Sequence, residues 1–179
     1  MAHVYVAIGS NVDPGENISK AATELARAFP GARFSSWYRN RAVGFEGDDF
    51  LNGVVGFETG LPLRSVIEQL HAVEVLCGRP RNAPRWAPRS MDLDVLLYDN
   101  LVCSEPSVTL PRPDLLKRPY MLGPLAEIAS EVVHPTAGAT IGELWQRFDR
   151  DAHPMERFSM EGLTSLRRSD RHPQPKSDP

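Results

Sequence analysis

Cysteine is scarce in this sequence of 179 residues, where only Cys77 and Cys103 occur. Neither belongs to a C-x-x-C pair, so the sequence indicates no zinc site and no disulfide framework. Sparse, unpaired cysteine is typical of proteins from a reducing compartment. The sequence therefore predicts a cytoplasmic protein without structural cross-links.

Long apolar stretches are also missing, since no run of about 18 apolar residues occurs anywhere in the chain. Residues 1–5 lack a charged segment followed by an apolar run, so we expect neither export by that route nor a membrane span. Positive charge is not in excess either, because the net charge is -3. Such a chain has no overall attraction for nucleic acid or an anionic membrane. The expected partners are small molecules, and the protein is predicted to be a monomer.

The sequence also lacks the G-x-x-x-x-G-K-[ST] phosphate loop and the signature motifs of protein kinases. If the protein uses ATP, it must bind it with another arrangement of charged residues. What the chain does have is 41% hydrophobic residues, enough to bury one substantial core but few for two. We therefore expect a single folded domain.

Apolar periodicity divides that domain into strands and helices. Strands are predicted at residues 4–8, 34–40, 50–58 and 91–98, where β-branched and aromatic residues gather. Helices are predicted at residues 14–29, 62–77 and 119–128, and Thr140 with Glu143 forms a capping box for another. Asp99 and Asn100 indicate a hairpin turn into a strand at 101–104. This order predicts an α+β, ferredoxin-like sandwich in which helices cover an antiparallel sheet.

The apolar pattern ends near residue 149. Beyond it the chain is polar, and residues 172–179 are rich in Pro, Lys, Ser and Asp, a composition typical of disordered tails. We therefore assign residues 1–149 to the folded domain and residues 150–179 to a flexible C-terminal tail.

The densest cluster of charge lies at residues 79–94. Asp92 and Asp94 are two positions apart on a predicted strand, so their carboxylates lie side by side on one face while Leu93 turns into the core. Magnesium prefers oxygen ligands and is held by one or two carboxylates together with substrate phosphates. The pair is therefore a candidate site for two magnesium ions that bridge the protein and ATP. The alternative interpretation of D-x-D is an ordinary strand end with one solvated face.

Four arginines lie just before the acid pair, at positions 79, 81, 85 and 89. Guanidinium groups bind phosphate oxygens through paired hydrogen bonds and stabilise the charge present during phosphoryl transfer. Beside two carboxylates, in a chain of negative net charge, these arginines indicate a site for metal and phosphate together. Their other interpretation is a solvated loop that pairs with Asp and Glu.

Residues 85–97 resemble the signature of the 6-hydroxymethyl-7,8-dihydropterin pyrophosphokinases of folate biosynthesis and match it at every position. The resemblance extends over most of the chain. It includes the segments Ala7-Ile8-Gly9-Ser10-Asn11 and Phe50-Leu51-Asn52, the E-x-x-x-G-R-x-R pattern from Glu74 to Arg81, and a block from Leu110 to Pro135. It implies an enzyme that transfers the β,γ-diphosphate of ATP to the hydroxymethyl group of the dihydropterin, releases AMP and uses magnesium.

The resemblance also implies roles for particular residues. Asp92 and Asp94 would ligate magnesium, while Arg79 and Arg89 would contact the triphosphate and assist transfer. Further contacts with ATP would come from Glu74, Arg81, Trp86, Arg112 and Arg118. The pterin would be bound by Val43, Gly44, Phe50, Asn52 and Tyr120, with the two aromatic rings on its faces and the amide at its edge. On sequence alone, the aromatic residues also fit core positions, the amide a strand edge, and the tryptophan a surface contact of its loop.

Several positions depart from the family pattern. Arg112 stands where His is usual after Leu-Pro, and Asn40, Arg41 and Ala42 replace a stretch that usually contains Thr and Pro. The first change adds a charge near the phosphates, and the second alters a loop that lines the pterin pocket in the family. A non-catalytic pterin or nucleotide binding protein of the same fold is therefore an alternative. An RNA-binding ferredoxin-like domain is a third possibility that the acidic balance disfavours.

Overall fold

A computed structural model describes residues 1–40, 49–78 and 90–159 of the chain. Its strands are β1 (Ala2–Ser10), β2 (Arg33–Phe34), β3 (Trp37–Asn40), β4 (Phe50–Thr59), β5 (Asp92–Tyr98), β6 (Cys103–Glu105), β7 (Val108–Leu110) and β8 (Glu156–Phe158). Its helices are α1 (Pro14–Ala28), α2 (Leu63–Leu76), α3 (Pro119–Ala129) and α4 (Ile141–Arg147). No helix within these described ranges is long and apolar enough to cross a membrane.

An antiparallel sheet with the order β5-β1-β4-β3-β8 forms the centre of the fold, and β2 pairs with β4 beside that path. β1 lies between β5 and β4 and is paired with β4 along its whole length. Side chains alternate along β1, so that Val4, Val6 and Ile8 face one side while Tyr5 and Ala7 face the other. Both faces of this central strand are therefore buried.

Helices α1 and α2 cover one face of the sheet, and α3 and α4 cover the other. We refer to these as the α1–α2 face and the α3–α4 face. On the first, α1 buries Ile18, Ala21 and Leu25, which recur at helical spacing and form one stripe. On the second, α3 buries Leu122 and Leu125. Burial of each such aliphatic side chain stabilises the fold by roughly 1.5–3 kcal/mol. The predicted α+β class, with helices covering an antiparallel sheet, is confirmed.

A β-bulge interrupts the alternation of side chains in β5. Its pairing with β1 places Val95 opposite Val6 and Leu97 opposite Tyr5, so Leu96 is an extra residue between them. Both Leu96 and Leu97 are consequently buried on the α3–α4 face, whereas Val95 lies on the α1–α2 face.

The chain after β5 does not form the predicted hairpin. Asp99 ends β5 by accepting a hydrogen bond at Oδ1 from His3 N and by donating its own N–H to His3 O, at 2.7 and 2.8 Å. These contacts attach the residue to β1, and the chain then builds a separate hairpin in which β6 pairs with β7. The predicted turn at Asp99 and Asn100 is present, with Leu101 N donating to Tyr98 O at 2.9 Å, but the prediction that the strand after it pairs with β5 is wrong.

Ordered chain continues past the predicted boundary at residue 149. β8 extends the sheet by pairing with β3, with Trp37 opposite Phe158 and Arg39 opposite Glu156. Phe158 is half-buried and packs against the α1–α2 core, and the Arg39 guanidinium lies 4.9 Å from the centre of its ring. β8 therefore belongs to the fold and not to a flexible tail. Residues 160–179 lie outside the described residues.

Candidate active site

Asp92 and Asp94 begin β5, where they pair with Gly9 and Ala7 of β1. Both side chains are partly exposed, while Leu93 between them is buried among the apolar residues of the α1–α2 face. Because alternate residues of a strand face opposite ways, the two carboxylates lie side by side on the α3–α4 face. The arrangement predicted from their spacing is confirmed.

Asp92, Gly9 and Asn52 lie in one row across three neighbouring strands. Gly9 of β1 is opposite Asp92 of β5 on one side and opposite Asn52 of β4 on the other. Asn52 shares a face with Val54, which is buried in the core of the α3–α4 face. Neighbouring strands lie about 4.8 Å apart, and Gly9 places no side chain between the carboxylate and the amide. Gly9 is therefore a floor without a side chain between the two polar residues.

Asn52 is held in place by two neighbours. Asn52 is 6% exposed, and its Nδ2 donates a hydrogen bond to Asn40 Oδ1 of β3. A methyl group on Gly9 would come within 3.1 Å of Asn52 Oδ1, so a larger residue there would displace the amide. With one amide hydrogen used by Asn40, Asn52 can still present its oxygen and its second hydrogen to a ligand. No role of their own was predicted from the sequence for Gly9 or for Asn40, although both residues lie in segments that the family resemblance had singled out.

Arg112 forms an ion pair with Asp94. Its Nη2 lies 2.9 Å from Asp94 Oδ2, with 33% of the arginine side chain and 24% of the aspartate side chain exposed. The backbone N of Arg112 donates to Leu96 O at 3.0 Å, which attaches this segment to the bulge of β5. Its Nε is buried and has no hydrogen-bond partner among the described residues. The guanidinium therefore binds Asp94 and keeps a buried donor for another acceptor.

Glu74 lies on α2, one of the two helices that cover the α1–α2 face, and its carboxylate reaches the backbone of β5 between the two acids. It is 6% exposed, and its Oε1 accepts a hydrogen bond from Leu93 N at 2.8 Å. A hydrogen bond to a charged group contributes about 1.5–3 kcal/mol. This buried carboxylate therefore fixes the backbone between Asp92 and Asp94, and its expected contact with ATP stays a prediction.

The predicted aromatic contacts come from β4 and from the start of α3. Phe50 and Asn52 are two residues apart on β4 and share a face. Tyr120 is partly buried against the α3–α4 core, and burial raises the pKa of its hydroxyl. The positive charges of Arg118 and Arg112 lower that pKa, and the negative charges of Asp114 and Asp94 raise it further.

Other predicted site residues divide between the described and the remaining parts of the chain. Arg118 is exposed at the N-cap of α3, where its backbone oxygen accepts hydrogen bonds from Met121 N and Leu122 N at 3.1 Å. The residues that lie outside the described ranges are Val43, Gly44, Arg79, Arg81, Trp86 and Arg89.

The arrangement suits a divalent cation and a flat polar ligand. Within residues 1–40, 49–78 and 90–159, no group of three or more His, Cys, Asp or Glu side chains could hold a metal ion. Two adjacent carboxylates nevertheless fit magnesium, which takes one or two from a protein and completes its shell with water and phosphate. A buried amide beside a glycine floor suits a ring that carries donors and acceptors at its edge.

The sequence matches known proteins over most of its length. The family model described as 7,8-dihydro-6-hydroxymethylpterin-pyrophosphokinase (HPPK) matches residues 5–130. The 2-amino-4-hydroxy-6-hydroxymethyldihydropteridine pyrophosphokinase of Synechocystis sp. is 37% identical over 147 residues, which cover 80% of this chain and 75% of that protein. The protein of the same name from Haemophilus influenzae is 34% identical over 153 residues, which cover 83% of this chain and 94% of that protein.

Solved structures with a similar fold include HPPK-DHPS of Plasmodium falciparum. One such structure superposes with a TM-score of 0.66 at 13% identity, over 85% of this chain and 46% of that chain. A structure of HPPK-DHPS in complex with substrates gives a TM-score of 0.60 at 12% identity, over 84% of this chain and 44% of that chain. The chain spans less than half of these longer proteins, and this likeness concerns the fold.

Proposed function

The chain belongs to the 7,8-dihydro-6-hydroxymethylpterin-pyrophosphokinase family, and from this premise we propose how its own residues perform the reaction. The enzyme transfers diphosphate from ATP to the hydroxymethyl group of 6-hydroxymethyl-7,8-dihydropterin. In that transfer the pterin hydroxyl oxygen forms a bond to the β-phosphorus, and the bond from the β-phosphorus to the oxygen shared with the α-phosphate breaks. AMP leaves with that oxygen, and the hydroxyl proton is released.

The observation that carries the proposal is the row of Asp92, Gly9 and Asn52 on one face of the sheet. The row places a carboxylate suited to metal and phosphate two strand spacings, roughly 10 Å, from a buried amide suited to a heterocycle. We place the pterin over Gly9 with its edge hydrogen-bonded to Asn52. The rings of Phe50 and Tyr120 would stack on its faces, an arrangement favourable for a flat heterocycle. Val43 and Gly44 would complete this pocket.

Asp92 and Asp94 are the proposed ligands of two magnesium ions. Both are partly exposed and share a face, and paired oxygen ligands are what magnesium prefers. When bound, magnesium would neutralise charge on the triphosphate. Glu74 would help to position these two aspartates, because it accepts a hydrogen bond from the backbone N of Leu93 between them.

Positive side chains complete the proposed site for the phosphates. Arg79 and Arg89 would stabilise the charge on the transferred diphosphate, and Arg112 already lies at Asp94. Further contacts with ATP are proposed for Arg81, Trp86 and Arg118. Because the transition state of such transfers is loose, positioning and charge neutralisation contribute more than a strong base, and no covalent intermediate is needed.

We further propose that the enzyme acts as a cytoplasmic monomer on small-molecule substrates. The sparse, unpaired cysteine supports the cytoplasmic location, and the negative net charge supports small molecules over nucleic acid as partners.

Identification of the nucleotide product tests the proposed function. Protein, ATP, magnesium and the dihydropterin are incubated together, and we expect AMP and pterin diphosphate in equal amounts. ADP would indicate transfer of a single phosphoryl group. Binding of the dihydropterin without turnover would indicate the non-catalytic alternative. The matched control is Asp94→Asn, which keeps the size of the side chain, loses its charge and should give no AMP above background.

A further inference from the structure

Arg112 and Asp94 form an ion pair at the carboxylate that we assign to a divalent cation. We propose that Arg112 couples metal binding to polyphosphate binding, because its guanidinium opposes a metal on Asp94 until a phosphate accepts it. This inference rests on the proposed function, since it assigns Asp94 to the metal.

A metal ion bound to Asp94 would lie close to the guanidinium of Arg112. Arg112 Nη2 lies 2.9 Å from Asp94 Oδ2, and magnesium binds a carboxylate oxygen at about 2.1 Å. A metal on that oxygen would therefore lie within about 5 Å of the guanidinium, a separation at which like charges repel appreciably in a partly buried site. Metal and guanidinium thus compete electrostatically for one carboxylate.

The unused donor of Arg112 indicates where the guanidinium would go. Its Nε is buried and has no hydrogen-bond partner among the described residues. Arginine recognises phosphate through paired N–H donors, so a phosphate oxygen beside Nε would satisfy this atom. The backbone N of Arg112 is bound to Leu96 O at 3.0 Å, which keeps the residue beside the site while its side chain changes partner.

The consequence is reciprocal coupling between two ligands. While the guanidinium binds Asp94, a metal must overcome its charge. Once the guanidinium binds phosphate, the repulsion is offset and Asp94 can hold the metal. Metal and polyphosphate then increase each other's affinity by the same factor. A neutral His at position 112, the residue usual in the family, would not oppose the metal in this way above its ordinary pKa of about 6.5.

Manganese binding, followed by the electron paramagnetic resonance of the free ion at pH 8, tests the coupling without requiring turnover. The proteins compared are the parent, Arg112→Gln, Arg112→His and the control Lys117→Gln, which removes one exposed positive charge five residues away. Without nucleotide, we expect both Arg112 variants to bind manganese about tenfold more tightly than the parent. Lys117→Gln should change the affinity less than about twofold. Saturation with a non-hydrolysable ATP analogue should abolish the advantage of the Arg112 variants.

Equal manganese affinity in the parent and the Arg112 variants would overturn the inference, as would an equal gain in Lys117→Gln. Circular dichroism verifies folding, and either Arg112 variant suffices if the other does not fold. AMP formation by the parent is measured separately. If the parent makes AMP but the Arg112 variants do not bind manganese more tightly, only the coupling is excluded. If the Arg112 variants bind manganese more tightly but the parent makes no AMP, the proposed function is excluded and the coupling is retained.

Discussion

The two faces of β5 carry different chemistry where the strand begins. On the α1–α2 face, Leu93 is buried and its backbone N–H is held by Glu74. On the α3–α4 face, Asp92 and Asp94 are partly exposed, and Arg112 pairs with the second of them. On the α1–α2 face Leu93 contacts other residues of the protein, whereas on the α3–α4 face the partly exposed carboxylates can also bind a ligand. Glu74 thus fixes the backbone between the two acids through a hydrogen bond within the protein.

Removal of the charges on the α3–α4 face should have the largest effect on activity. We expect Asp92→Asn and Asp94→Asn each to lower turnover by about a thousandfold or more, because the charge of the transferred diphosphate would lose its neutralising metal. AMP formation at saturating substrate measures the loss, and unchanged circular dichroism shows that the fold is kept. Near-normal turnover by either variant in magnesium would remove that residue from the metal site.

Substitution on the α1–α2 face should instead reduce stability. Leu93 lies between the two acids and is 5% exposed, so Leu93→Ala should lower the free energy of unfolding by about 2–5 kcal/mol through the cavity it leaves. Urea unfolding measures this change. At low temperature, where the variant is folded, we expect its turnover to stay within about tenfold of the parent. A loss as large as that of Asp94→Asn would show that the two faces are not separable.

Deletion of β8, which lies at the opposite edge of the sheet from β5, should lower the stability of the fold without altering β5. A chain ending at Arg150 loses β8 and with it the packing of Phe158 and the contact of Arg39 with its ring. We expect the free energy of unfolding to fall by about 1–3 kcal/mol, a decrease of several degrees in the melting temperature. The dihydropterin turnover of the folded protein should be retained. An unchanged melting temperature would show that β8 contributes nothing to the fold.

Replacement of Gly9 by alanine should weaken binding of the dihydropterin without affecting Asp92 and Asp94. Gly9→Ala brings a carbon within 3.1 Å of Asn52 Oδ1, so we expect about tenfold weaker binding of the dihydropterin in calorimetric titration. Binding of a non-hydrolysable ATP analogue should change by less than about twofold. Gly60→Ala is the matched control, because only Met1 Sδ, at 3.7 Å, would lie near its new methyl group. Equal losses in both variants would exclude Gly9 as the floor of the pocket.

The smallest expected effect is a change in the pH dependence of stability, and it concerns His134, which follows α3. His134 is 3% exposed, its Nδ1 accepts hydrogen bonds from Thr136 N and Ala137 N at 3.3 and 3.2 Å, and burial lowers its pKa below 6.5. The unfolded chain therefore takes up this proton more readily than the folded one. The stabilisation from neutral His134 is complete above pH 6.5 and is lost as the pH falls through 6.5 toward the folded pKa.

The measurement is urea unfolding between about pH 7.5 and pH 5.5. His134→Asn should show a smaller decrease in stability over this range than the parent, because its Oδ1 can accept the same hydrogen bonds and does not titrate. An identical pH dependence in both proteins would contradict the assignment.

The sequence predicted features that depend on local periodicity. The common face of Asp92 and Asp94 follows from the two-residue repeat of a strand, and the buried stripe of α1 follows from helical spacing. The capping box of Thr140 and Glu143 is also confirmed, with Thr140 Oγ1 accepting from Glu143 N and Thr140 N donating to Glu143 Oε2. Each of these features involves residues close together in the chain.

Features that depend on contacts between distant segments were not predictable in this way. A pattern shows that Glu74 lies on a helix, but not that its carboxylate accepts from Leu93 N. β8 has only three residues, too few to show an alternation, and it is a strand because β3 leaves an edge for it to pair with. The pairing of a strand after Asp99 with β5 also depended on distant segments, since Arg112 N donates to Leu96 O of β5 and β6 pairs with β7 instead.

The bulge at Leu96 limits which changes in chain length β5 can tolerate. An uninterrupted strand would place Asp92, Asp94 and Tyr98 on a single face. The extra residue instead lets the acids face α3 and α4 while Tyr98 packs on the other side, where its hydroxyl donates to Leu61 O at 2.6 Å. Deletion of one residue here would force a choice between the acid pair and that hydrogen bond. Descendants of this chain can therefore exchange one aliphatic residue for another at position 96 much more readily than they can lose it.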